Sequence, residues 1–152
     1  MIEEVLTRYS QHVEFIGEQL NDVHQIGAFG SQVLHLASFA GNCSDVREIL
    51  LAGAEINAIG DLGLSPLHYA VLGGNLDVIR LLVTEGANFR LENEFGETAA
   101  QMAHLMEQSD AENLLCEFGS SPSFSFDGGV VARERWSEFK SIQEENFWKE
   151  SD

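Results

Sequence analysis

Slid against itself by 33 residues, the chain places Gly30 over Gly63 over Gly96, Gly41 over Gly74, and Gly53 over Gly86 over Gly119. The register holds between the glycines. His35 and His68 stand over Gln101, Ala37 over Ala70 over Ala103, and the apolar pairs Cys43/Leu76, Val46/Ile79, Ile49/Leu82 and Leu50/Val83 recur at i, i+3, i+6 and i+7. That spacing is the buried stripe of a helix. Each unit therefore reads as a turn, a short helix, a glycine break, a second helix stopped by glycine, and an extended connection to the next turn. Neither short helix can bury its face alone, whereas stacked copies join their faces into one core. A fixed period of this length predicts an all-α solenoid of helix-turn-helix repeats.

"SPLHYA" at 65–70, followed by "GNLDVIRLLVTEGAN", resembles the ankyrin repeat family, whose unit carries a T-P-L-H-x-A signature. "QVLHLA" at 32–37 keeps the Leu-His-x-Ala half, and "TAAQMA" at 98–103 keeps Thr98 and Ala103 but has neither proline nor histidine. The resemblance covers about residues 27–119 and implies three repeats, 27–59, 60–92 and 93–119. It also implies that His35 and His68 are structural fasteners tying adjacent turns together. Gln101 can still hydrogen-bond there but cannot act as a general base. Pro66 suits the first turn of a helix, where no amide donor is needed.

The ends depart from the repeat. Residues 2–20 carry Ile2, Val5, Leu6, Tyr9, Val13, Ile16 and Leu20 on one helical face, which predicts a long amphipathic cap over residues 1–26. A decayed repeat is the simplest origin of that segment, since Val13, Ile16 and Val23 fall over Val46, Ile49 and Ile56. After Gly119, "SSPSFSFDGG" reads as a loop. The remainder of 120–152 predicts a helix with Trp136, Phe139, Ile142 and Phe147 near one side. Such an aromatic extension is expected to fold back and cap repeat three, or to clasp a partner.

Charge narrows the function. The formal net charge is −17, and residues 1–119 hold 18 acidic against 4 basic side chains. This field disfavours nucleic acid and anionic membrane as partners and favours a basic protein. No apolar run approaches the length of a membrane span, and the start lacks the pattern of a signal peptide, so a cytoplasmic chain is expected. Cys43 and Cys116 are read as reduced, buried thiols. The sequence offers no phosphate loop, nucleophile elbow or paired metal ligands, which predicts no catalytic residue, no cofactor, no metal and no small-molecule substrate. Its many carboxylates would need a pocket to drive their pKa values apart before acting as acid and base.

In the ankyrin family the concave face, built from turn tips and first helices, binds proteins. On this chain the resemblance maps that face onto four columns: Ala28/Asp61/Glu94, Phe29/Leu62/Phe95, Ser31/Leu64/Glu97 and Phe39/Leu72/Leu105, with Ile59, Glu92 and Met106 beside them. Trp136, Phe139 and Trp148 of the extension complete the expected contact set. Apolar anchors ringed by carboxylates suit a basic protein partner. A short acidic repeat chain with an individual tail resembles bacterial ankyrin-type immunity proteins. That implies an inhibitor, monomeric when free, that neutralises a basic toxin, effector or enzyme. An adaptor or regulatory subunit that tethers without inhibiting needs the same surface and stays open at this point.

Overall fold

Each repeat opens on a turn closed by one backbone pair: Gly27 N–H to Ser31 O, Gly60 to Leu64 and Asn93 to Glu97, at 2.8, 2.9 and 2.9 Å. Gly30, Gly63 and Gly96 hold φ of 96°, 73° and 74° in these turns, a left-handed backbone that glycine adopts without steric cost. The turn then releases the chain into a capped helix. Ser65 Oγ accepts the His68 amide while the His68 ring accepts the Ser65 amide, a reciprocal box that Thr98 and Gln101 repeat in the next unit.

These choices generate a computed structural model that describes residues 2–120 and 129–147. It holds α1 (Ile2–Tyr9), α2 (Val33–Ala40), α3 (Cys43–Leu51), α4 (Pro66–Leu72), α5 (Leu76–Thr84), α6 (Ala99–Leu105), α7 (Ser109–Glu117) and α8 (Gly129–Asn146), and no strand among the described residues. In the three helix pairs, α2, α4 and α6 stack as one layer and α3, α5 and α7 as the other. Two of the inner helices are enclosed on every side: Val33–Phe39 and Pro66–Leu72 are buried without exception. Full enclosure explains why neither helix carries an Asp, Glu, Lys or Arg. The outer helices bury only a stripe, with Val46 and Ile49, then Val78, Ile79 and Leu82, then Ala111, Leu114 and Leu115 facing inward.

Successive units touch at the backbone. A Cβ on Gly73 would lie 2.4 Å from the Phe39 carbonyl oxygen, and Asn75 Nδ2 donates to the Ser38 and Phe39 carbonyls at 2.9 and 2.7 Å. Gly74, its neighbour, has open space where a Cβ would stand but a φ of 71°. Glu107 occupies the matching left-handed position of repeat three at φ 58°, where the first two units have glycine.

The start of the chain differs from the long cap that its periodicity predicts. α1 ends at Tyr9, and residues 10–18 turn through i to i+3 bonds, among them His12 N–H to Tyr9 O and Phe15 N–H to His12 O. His12, Glu14 and Phe15 are buried, while Ile16 is exposed. The reason lies in Glu14, whose carbonyl accepts the Ala28 amide and whose carboxylate accepts the Phe29 amide, so the segment bends to hold the first turn tip. α1 docks on α3 instead, through Arg8 and the Tyr9 hydroxyl on the Asp45 carboxylate. Cys43 is half-buried and Cys116 exposed, so the expectation of two buried thiols fails at Cys116.

The Gly73/Gly74 pair separates crowding from backbone conformation. Gly73→Ala should destabilise the chain by at least about 2 kcal/mol, because the added carbon must part α2 from α4. Gly74→Ala should cost only about 1 kcal/mol. Urea unfolding midpoints measure both.

Candidate functional site

The four predicted columns divide cleanly. Ala28 and Glu94 are exposed with Asp61 half-exposed, and Phe29 and Phe95 are exposed with Leu62 half-exposed, so these two columns project from the turn tips. The other two point inward. Leu64, Leu72 and Leu105 are at most 2% exposed, Phe39 is 8% and Glu97 6%. This corrects their expected place on an open face, and the cause is geometric. Leu64 and Leu72 pack into the core of the stack, while Glu97 and Phe39 are covered by contacts with Trp136 and Phe147. Ile59 and Glu92 are exposed, and Met106 is half-buried against the core.

Glu97 is the most consequential of these residues. Leu64 fills the matching position in repeat two, and Ser31 in repeat one shares a hydrogen bond with the Tyr69 hydroxyl. A carboxylate buried there needs several donors. Asn93 Nδ2 donates to Glu97 Oε1 at 3.0 Å, the Trp136 indole N–H to the same oxygen at 2.8 Å, and Arg135 to Oε2 at 3.3 Å. Two of the three donors come from α8.

α8 thus lies along the first-helix side of the stack, beyond the repeat-three cap that the sequence suggests. It crosses the units in reverse order. Trp136, fully buried, meets Phe95 edge-on, Phe139 packs on Trp136 and against Tyr69 of α4, and Phe147 reaches Phe39 of α2 and His12. The Arg135 guanidinium sits 3.7 Å over the Phe95 ring, and Arg133 pairs with Glu107. Ile142, expected on the inward stripe, is 51% exposed, because the stripe runs Ala132, Trp136, Phe139 and Phe147. Trp148 lies outside the described residues. Sequence reading passed over Arg133, Arg135 and Ala132, although the first two are among only four basic residues in the extension of a strongly acidic chain.

The buried histidines are structural. In His35 and His68, Nδ1 accepts the Gln32 and Ser65 amides, which leaves the proton on Nε2 to be donated to Ala58 O at 2.8 Å and Glu97 O at 2.9 Å. Burial lowers both pKa values to about 4, against weaker opposing hydrogen bonds, and burial alone does the same to His12. Neutral rings with both nitrogens committed to the backbone have no proton to exchange with a substrate. Glu14 is pushed above the usual carboxylate range by burial, opposed by the Phe29 and Ser31 hydrogen bonds and reinforced by nearby Asp61.

Among the described residues no group of three or more His, Cys, Asp or Glu side chains is placed to hold a metal ion. No helix among them is long and apolar enough to cross a membrane. Residues 13–124 match the family model described as "Ankyrin repeats (3 copies)". No curated protein matches the chain.

The histidines make stability depend on pH. Their folded pKa lies below the unfolded value of 6.5, so their contribution is complete above pH 6.5 and is lost as pH falls towards 4. His68→Gln, which copies the residue of repeat three, should be less stable than the parent at pH 7.5. The gap should shrink by up to roughly 3 kcal/mol by pH 4. Urea titrations of both chains across that range check the sign.

Proposed function

Because the chain belongs to the ankyrin repeat family, we propose that it is a non-catalytic protein-interaction module that binds and neutralises a basic protein along its turn-tip edge. Ankyrin repeats imply a protein partner. What supports the sign and place of the contact is the pair of outward columns. Phe29 and Ile59 are each 56% exposed and Phe95 45%, and the carboxylates of Asp61, Glu92 and Glu94 are exposed or half-exposed on the same segments. Large apolar groups set among like charges suit a partner that brings cations and a desolvated core contact. Arg135 over Phe95 is an example within the molecule of the contact an incoming arginine would make on Phe29.

Occlusion of the partner's working surface is the simplest effect of such binding, which makes inhibition the leading role. The partner is to be recovered from the native cell with this chain as bait, identified by mass spectrometry, and assayed with and without it. Loss of the partner's activity fits neutralisation, and full activity in the complex would make the chain a tether. In stopped-flow association, Glu92→Lys/Glu94→Lys should slow binding by about tenfold at low salt and flatten its salt dependence, while Phe29→Ala should mainly speed dissociation. All of these side chains are exposed or half-exposed, so the fold is spared. Unchanged rates in both variants would place the interface elsewhere.

A further inference from the structure

α8 behaves chemically as a ligand of the stack. Its contacts with the repeats run through one stripe: Ala132 and Trp136 are fully buried and Phe139 and Phe147 half-buried, while Val131, Ser137, Glu138, Ser141 and Ile142 of the other face are exposed. Val33–Phe39 of α2 and Pro66–Leu72 of α4, by contrast, are buried without exception. A helix held by one stripe opens locally at lower free energy than helices held on all faces. Two of its cations are placed as a partner's would be, since Arg133 and Arg135 pair with Glu107 and Glu97 of an acidic domain. Towards its end a shallow, open cleft of about 370 Å³ lies among Phe39, Asn75, Lys140, Glu144 and Phe147.

We propose that α8 is a tethered stand-in for a partner helix, and that the groove along α2, α4 and α6 accepts an amphipathic helix carrying adjacent arginine and tryptophan with aromatic residues further along the same face. Glu97 with Asn93 is the recognition point. It accepts an indole N–H on one oxygen and a guanidinium on the other, and a helix lacking either donor leaves a buried carboxylate short of a partner. A partner of this kind binds only in proportion to the fraction of molecules whose own α8 is detached, so the tether sets a threshold on affinity. This deepens the binding-module reading above and rests on it for the biological occupant, but its test needs only the isolated chain.

The probe is a labelled synthetic peptide of residues 129–147, followed by fluorescence anisotropy against the full chain and against the full chain carrying Arg135→Glu and Trp136→Ala. The tether holds α8 at an effective concentration of about millimolar, so the intact chain should bind the peptide at least tenfold more weakly than the variant. In hydrogen exchange of the unaltered chain, amides of residues 131–145 should exchange faster than those of α4 and α5. Three results would overturn the proposal: α8 amides exchanging only at the global rate, a folded variant that ignores the peptide, or a variant whose repeats unfold because α8 is part of the indispensable core. None of them would touch the turn-tip surface, which the Glu92 and Glu94 variants test separately.

Discussion

The approach of α4 to α2 at Gly73, where one added carbon would meet the Phe39 carbonyl, sets the pitch of the stack on which everything else is mounted. Asn75 bonds across the same gap, and His35 and His68 fix each helix to the turn that follows. Because α2 and α4 lie this close, nearly all of their side chains are consumed by packing. What is left for recognition is the row of turn tips and the groove beneath them. The tips keep Phe29, Ile59, Glu92 and Glu94 in solvent, and the groove is taken by the chain's own last helix.

The repeat was legible because its constraints are local and recur at 33 residues: left-handed glycines at Gly30, Gly63 and Gly96, capping pairs three residues apart, and stripes such as Val78, Ile79 and Leu82. Departures from it were less legible. Ile16 satisfies a helical stripe on paper, yet Glu14 draws the chain out of the helix to reach the amides of residues 28 and 29. Leu64, Leu72 and Leu105 sit at family positions near the concave face but are buried. Glu97 could not be read as buried, since the groups that make burial tolerable lie 38 and 39 residues downstream. Long-range donors of that kind leave no local pattern.

Electrostatics ties the fold to its role. A chain of net charge −17 repels itself, and α8 places Arg133 and Arg135 against Glu107 and Glu97. The outer tips keep their carboxylates uncompensated by that helix, so the long-range field that would steer a cationic protein survives its docking. The same arrangement gives the module two surfaces of related chemistry, an open one at the tips and a covered one along the inner helices.

The seating of Trp136 against Glu97 carries the most weight in this account, and Trp136 reports on it directly. Trp148→Phe leaves Trp136 as the one tryptophan of the chain. A buried indole donating to a carboxylate should give blue-shifted emission that acrylamide barely quenches, and Glu97→Ala should shift that emission to the red. Emission at the wavelength of free indole, readily quenched in the single-tryptophan chain itself, would contradict the docking of α8 in the groove.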